Sequence, residues 1–110
     1  MKYLLLILLS FPSVLFGQKI YQTKYASDAD VKVYVVQYTS DADLVVHKET
    51  YASDAKGNDG HWYFTQYASD ANVKVYFTEY ASDADIKIYY SKYASDAGWR
   101  RQEKKPKMKK

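Results

Sequence analysis

A tandem repeat constrains this chain more than any other feature of its sequence. Six near-copies of one pentapeptide, Tyr-Ala-Ser-Asp-Ala with Thr replacing the first Ala once, run through it, and their tyrosines are 13, 13, 16, 13 and 13 residues apart. A period of 13 residues is too short for the two-helix units of common solenoids, but it fits one short strand followed by one tight turn. The tyrosines that open the pentapeptides are Tyr25, Tyr38, Tyr51, Tyr67, Tyr80 and Tyr93.

The segments between the pentapeptides alternate in polarity with a period of two. In residues 30–37, Val31, Val33 and Val35 point to one face, while Lys32 lies on the other. Alternation in segments rich in Val, Ile, Tyr, Phe and Thr is typical of half-buried β-strands. The sequence therefore predicts strands at residues 19–24, 30–37, 44–49, 61–66, 72–79 and 85–92.

Aligning the six strands assigns a role to each column. One column is wholly apolar and is expected to form the central core layer: Ile20, Val33, Val46, Trp62, Val75 and Ile88. The preceding column, mostly lysine, is expected to face solvent. The following column holds five tyrosines and His47, and suits the boundary of a core because a tyrosine ring is apolar while its hydroxyl is polar. The tyrosines of the pentapeptides form a further aromatic row.

The Ala-Ser-Asp-Ala segment is expected to turn the chain. Either the Ser and Asp side chains accept hydrogen bonds from nearby backbone N–H groups, or the segment forms a single helical turn capped by Ser. Most of these turns lack glycine, which favours arches with negative φ over tight hairpins. One unit is longer: residues 56–60, Lys-Gly-Asn-Asp-Gly, predict an exposed loop that divides the repeats into two halves, residues 18–55 and 61–97.

The N-terminus has the pattern of a secretory signal. Lys2 is followed by a short apolar run, and Gly17 supplies a small residue where cleavage is expected, which leaves Gln18 first. An uncleaved N-terminal anchor is the alternative. The expected location is secreted or periplasmic, with no transmembrane segment after signal removal. The exported chain has no cysteine, so we expect packing or association, rather than disulfides, to stabilise it.

Charge divides the chain into an acidic body and a basic tail. Residues 18–99 carry eight lysines and twelve acidic residues, whereas residues 100–110 carry seven basic residues and one acidic residue. We expect a single repeat-built β domain at residues 18–101 and a flexible, unpacked basic tail at residues 102–110. The tail either solubilises the chain, folds back on the acidic body, or contacts an anionic surface or glycan. Nucleic acid is the least expected partner of an exported chain.

Catalytic and metal-binding patterns are weak. Asp-Ala-Asp and Asp-Ala-Asn triplets could begin a Ca²⁺ site, but the further oxygen ligands and glycine of a Ca²⁺ loop do not follow, so the aspartates are interpreted as turn residues. His47 and His61 lack partners at ligand spacing. Six equal Ser-Asp turns, five of them without a nearby histidine, favour a structural role over a catalytic triad. We therefore expect neither an enzyme nor a cofactor.

Six residues form the candidate ligand or surface contact. Tryptophan rings stack on sugars, and basic residues pair with anionic groups, although the tryptophans could equally fill the core of a small protein. Two functional hypotheses follow: a noncatalytic structural or interaction domain, or a binding module for envelope glycan or another anionic surface ligand. The candidates are Trp62, Trp99, Arg100, Arg101, Lys104 and Lys105.

Taken together, the repeats resemble the septoil knot domain family. The resemblance rests on the tandem Tyr-x-Ser-x-Ala turns, on a Gly-Asn-Asp-Gly-x-Trp break after the third repeat, and on a closing Ala97-Gly98-Trp99-Arg100, and it covers about residues 19–101. Members of this family are small β-rich proteins of unknown function, wound as a torus knot with seven crossings. The resemblance implies a mostly β fold with six short strand-turn repeats in a compact knotted domain. It also implies self-association, for which a homodimer is the expected form. The residues alone predict a closed or coiled assembly of six short strands.

Overall fold

The computed structural model describes residues 18–109, so the predicted signal segment at residues 1–17 lies outside the described residues. Seven short strands occur in this range, and the first six confirm the predicted strand segments. No helix in this part of the chain is long and apolar enough to cross a membrane. The strands are β1 (Lys19–Gln22), β2 (Val31–Val35), β3 (Leu44–Lys48), β4 (His61–Phe64), β5 (Val73–Phe77), β6 (Ile86–Tyr90) and β7 (Gly98–Trp99).

The first six strands close into a parallel barrel. Their order around the ring is β1-β5-β2-β6-β3-β4, with β4 pairing back to β1, and β7 pairs antiparallel with the start of β3. At every step except β3 to β4, the chain passes over one ring position. It therefore circles the barrel in one sense: β1, β2 and β3 take alternate positions in the first circuit, and β4, β5 and β6 follow in the second. The three extra residues of the long repeat fall at the β3–β4 step, where the second circuit begins.

The strands are strongly staggered. At the β1–β5 interface Ile20 pairs with Val73, and the register advances by the same two residues at the other five interfaces. With a rise of about 3.3 Å per residue and about 4.8 Å between strands, this stagger corresponds to a strand tilt of about 55° from the barrel axis. A steep tilt widens a six-stranded barrel, which leaves room for a packed interior.

The barrel interior is the predicted core. All six residues of the central column, including Trp62, have no exposed surface. Val31, Leu44, Val73 and Ile86, two positions earlier in their strands, extend this core. The outward lysine column has one buried member, Val45, which is 5% exposed because β7 pairs with it through Gly98.

Each pentapeptide forms one turn of 3₁₀ helix, so the helical alternative holds for the turns. The residue that caps each turn is the tyrosine rather than the serine: the Tyr25 carbonyl accepts from Asp28 N–H at 3.1 Å, and the other five turns repeat this bond. All φ angles in these turns are negative, as expected from their lack of glycine. The turns are Ala26–Asp28, Thr39–Asp41, Ala52–Asp54, Ala68–Asp70, Ala81–Asp83 and Ala94–Asp96.

The last residue of each triplet, an aspartate in three of them and Asn72 in the fourth, has a role that differs from the predicted one. Asp30 lies just before β2, and its carboxylate accepts the backbone N–H of Lys74 on β5 at 2.9 Å, while its own N–H donates to the Lys74 carbonyl at 2.7 Å. This pair of hydrogen bonds joins the start of one strand to the neighbouring strand, and it recurs at three other interfaces. The further pairs are Asp43 with Lys87, Asp85 with Lys32, and Asn72 with Lys19.

The loop at residues 56–60 is less exposed than the sequence predicts. Gly60 is buried, and its φ of +91° lies in the left-handed region that favours glycine. A Cβ at this position would overlap the Val45 carbonyl oxygen. Glycine is therefore required at position 60, directly before β4, because the barrel wall leaves no room there for a side chain.

Candidate functional site

The two tryptophans do not form an exposed pair. Trp62 is wholly buried in the barrel, so the prediction that it contacts a ligand at the surface is wrong, and its place in the core column explains why. Trp99 is half-buried, and its indole N–H donates to the Asn58 carbonyl at 2.6 Å. Neither ring is therefore presented to solvent as a free stacking platform.

The basic residues at the end of the body contact its carboxylates. Arg101 Nε lies 3.6 Å from Asp43 Oδ1, and the Asp43 carbonyl accepts the N–H groups of both Arg100 and Arg101. Asp43 is 4% exposed, and its carboxylate also accepts the backbone N–H of Lys87 on β6. It therefore joins Arg100 and Arg101 to the start of β3 and to β6. Among the described residues, the tail follows the fold-back alternative.

Part of the tail packs against the body, contrary to the prediction of a flexible, unpacked tail. Residues Gln102–Lys107 form a 3₁₀ helix, and Met108 is 2% exposed within the core cluster. Lys105 Nζ lies 3.5 Å from Asp59 Oδ1, beside the loop that precedes β4. Lys104 is half-buried and Arg100 is exposed. A single methionine in a lysine-rich segment has no apolar periodicity, so this contact could not be predicted from the residue pattern.

The exposed aromatic surface belongs instead to the pentapeptide tyrosines. These six side chains are 61–66% exposed, and all six residues share an extended backbone with φ between −108° and −127°. In three repeats a Thr or Ser hydroxyl two residues earlier accepts the tyrosine N–H, as Ser91 does for Tyr93 at 3.1 Å. Hydrogen bonds to the backbone thus hold each tyrosine, and its ring stays free.

Each exposed tyrosine is accompanied by an exposed serine and an exposed aspartate from the same turn. Because each repeat supplies one strand to the ring, the six turns are distributed around the barrel. We call these six units, residues 25–28, 38–41, 51–54, 67–70, 80–83 and 93–96, the tyrosine turns. The sequence indicated the aromatic row, but its exposure depends on which side of the barrel wall the connections follow.

A second feature lies where the strands end. Phe64, Phe77 and Tyr90 are the last residues of β4, β5 and β6, and they pack on the core while remaining partly exposed. The ammonium of Lys48, the last residue of β3, lies 4.5 Å from the Tyr90 ring centroid and 5.7 Å from that of Phe64. Burial raises the pKa of the Tyr90 hydroxyl well above its usual range, so this group stays neutral. We call the depression here, lined by Tyr21, Gln22, Lys48, Phe64, Thr65, Phe77 and Tyr90, the barrel mouth.

His47 and His61 lie opposite each other in the register of β3 and β4, but their side chains contact different groups. His61 Nδ1 lies 2.7 Å from Glu49 Oε2, and His47 Nδ1 lies 3.0 Å from the Ser91 carbonyl oxygen. Residues 18–109 contain no group of three or more metal-binding side chains.

Comparison with known families agrees with this architecture. The family model described as the 7(1) septoil knot domain matches residues 17–100. Comparison with curated proteins and with solved structures gave no significant match. The six strand-turn repeats and the interleaved double winding lie within the matched residues. The chain therefore belongs to the septoil knot domain family.

Proposed function

We propose that this protein is an exported, noncatalytic interaction domain that binds a neutral polysaccharide through its six tyrosine turns. The observation that carries the proposal is the six equivalent tyrosines, each 61–66% exposed and each beside an exposed serine and aspartate. A group repeated in six equal copies favours multivalent binding over a single active site.

The chemistry of each turn suits a sugar. One face of a pyranose ring is rich in C–H groups and packs on a tyrosine ring, which offers a large and rigid apolar surface. The neighbouring aspartate accepts hydrogen bonds from sugar hydroxyls, and the serine both donates and accepts them. The backbone hydrogen bonds within each turn fix the backbone that carries these groups, which lowers the backbone entropy lost on association.

Charge favours a neutral polymer over an anionic one. Every tyrosine turn carries an aspartate, and residues 18–99 carry more acidic than basic residues. Arg101 and Lys105, two of the basic residues expected to meet an anionic ligand, lie beside Asp43 and Asp59. An anionic polymer would therefore meet the carboxylates of the turns, whereas a neutral glycan avoids that repulsion.

Binding strength comes from repetition. One ring stacked on one sugar is a weak contact, but linked contacts raise the overall affinity by about 10²–10⁴ without any new interaction. A polymer with a short repeat presents many equivalent sugars, and the barrel presents six equivalent turns. Removing tyrosines in stages is therefore expected to weaken binding steeply.

The test is retention of the protein on insoluble chitin and cellulose, with heparin beads as the anionic comparison. Variants replace two, four or all six turn tyrosines by serine, and a matched variant replaces all six by phenylalanine, which keeps the ring. We expect retention on at least one neutral polymer, a loss of about tenfold or more with each pair of serines, and retention by the phenylalanine variant. Equal retention of the six-serine variant and the native protein, retention on heparin alone, or no retention on any of the three supports would contradict the proposal. Thermal melting checks that each variant is folded.

Export is a separate part of the proposal. It rests on the charged start, the apolar run and the small residue at position 17. Mass spectrometry of protein recovered outside the cytoplasm is expected to give a chain that begins at Gln18. A retained Met1 would favour the uncleaved anchor.

A homodimer stays a prediction, which sedimentation velocity would check.

A further inference from the structure

The barrel has two chemically different ends. Met108 and the tail pack beside the loop that precedes β4, where the strands begin. The barrel mouth lies at the opposite end, where three aromatic rings remain partly exposed. Mouths of β-barrels are common places for small-molecule sites.

The mouth has an apolar floor and one formal charge. The Phe64 and Phe77 ring centroids lie 6.4 Å apart, and Phe64 packs edge-on against buried Trp62. Lys48 is the one charged residue among the seven that line the depression, and none of the ion pairs formed by residues 18–109 involves it. The ammonium lies above the rings, and no carboxylate of residues 18–109 lies within 4 Å of it.

We propose that the barrel mouth binds a small organic carboxylate with an apolar body, which pairs with Lys48 and packs its apolar part on Phe64, Phe77 and Tyr90. Charge complementarity selects the anion, and the aromatic floor selects the apolar group. Thr65 and Gln22 supply hydroxyl and amide groups for the second carboxylate oxygen. The depression has a volume of about 260 Å³. A cavity of about 150 Å³ holds benzene, so this depression has room for a ring and a carboxylate.

The column at the strand ends shows how particular this site is. Its six members are Gln22, Val35, Lys48, Phe64, Phe77 and Tyr90. The repeats supply an apolar residue to every position of the central column, whereas the strand-end column contains five residue types, both polar and apolar. A repeated structural role would not call for one lysine among three aromatic rings.

The test uses three probes of similar size: phenylacetate, benzyl alcohol and 2-phenylethylamine, which are anionic, neutral and cationic. NMR titration of the protein measures each dissociation constant and maps the perturbed amides. We expect phenylacetate to bind at about millimolar concentration, at least tenfold more tightly than either other probe, with shifts at Phe64, Thr65 and Phe77. Equal binding of the three probes, tighter binding of the amine, or no binding of phenylacetate at 20 mM would overturn the proposal.

Two variants assign the selectivity to one side chain. Lys48→Gln is expected to weaken phenylacetate binding about tenfold, to the level of benzyl alcohol, while benzyl alcohol binding stays unchanged. Lys32→Gln removes an exposed lysine from the outer wall and is expected to change neither. If Lys48→Gln bound phenylacetate as tightly as the native protein, Lys48 would not be the recognition group. The probes on the native protein test the site even if a variant fails to fold.

Discussion

Removal of the Met108 side chain provides a direct measure of how tightly the tail is packed. Met108 is 2% exposed and belongs to the same buried cluster as Trp62 and the strand residues. Truncating a fully buried methionine to alanine costs about 2–5 kcal/mol, because the lost transfer free energy adds to the cost of the cavity that remains. We expect Met108→Ala to lower the free energy of unfolding by about 3 kcal/mol, near the middle of that range.

The assay is equilibrium unfolding in urea, followed by tryptophan fluorescence. Trp62 reports from inside the barrel, and Trp99 reports from β7 beside the tail. Samples approach equilibrium from both the folded and the unfolded state, so that slow refolding does not distort the midpoint. The matched control is Lys109→Ala, an exposed neighbour expected to change stability by less than about 0.5 kcal/mol. A Met108→Ala protein as stable as this control would refute the packed tail.

Three further predictions concern the loop, the mouth and the turns. Gly60→Ala is expected to destabilise the fold by about 2 kcal/mol or more, because the added Cβ would overlap the Val45 carbonyl oxygen. Gly57 also has a positive φ, but a Cβ there would meet no backbone atom, so Gly57→Ala is expected to cost about 1 kcal/mol. Equal losses in thermal melting would contradict the clash with Val45. Burial raises the pKa of the Tyr90 hydroxyl in the folded state. Above about pH 10 the unfolded state therefore loses this proton before the folded state does, and the free energy of unfolding falls. Tyr90→Phe is expected to reduce the loss of unfolding free energy between pH 9 and pH 11, measured by urea titration. An unchanged loss would count against the burial of the hydroxyl. Millimolar Ca²⁺ is expected to leave the melting temperature unchanged relative to chelator at equal ionic strength, and a rise of several degrees would show that the turn aspartates bind the ion.

Local patterns in the sequence predicted those parts of the fold that depend on one repeat at a time. Strict alternation placed Val33 and Val75 in the core, and both are wholly buried. The absence of glycine predicted arches with negative φ, and the six turns have them. The break at residues 56–60 predicted two halves, which are the two circuits of the chain. Each of these features is set by residues close together in the sequence.

Features that depend on which strands become neighbours could not be read in this way. The sequence pattern favours a turn role for Asp30, but its carboxylate accepts the backbone N–H of Lys74, which is 44 positions away on a strand from the other half. Near-identical repeats do not specify which copy lies beside which, so the interleaved order is invisible in any one unit. The sequence pattern places Trp62 both in the core column and among the candidate surface contacts, and its complete burial agrees with the core column. Aligning the last strand position, where Lys48 stands among aromatic residues, would have shown the barrel mouth.

Refolding kinetics test the winding most directly. The second circuit lies between strands of the first, so folding requires threading and largely non-local contacts, which cost loop-closure entropy before they are rewarded. Near-identical repeats delay folding further because one unit can pair where another belongs. Pro12 lies outside residues 18–110, and Pro106→Ala removes the proline of the tail, so a slow phase that persists in this variant does not come from proline isomerisation. Stopped-flow refolding of residues 18–110 after full denaturation, followed by Trp62 and Trp99 fluorescence, is expected to take about a second or longer, with hysteresis between the unfolding and refolding curves. Complete single-exponential recovery within milliseconds would contradict the threaded winding and favour an unknotted six-stranded barrel.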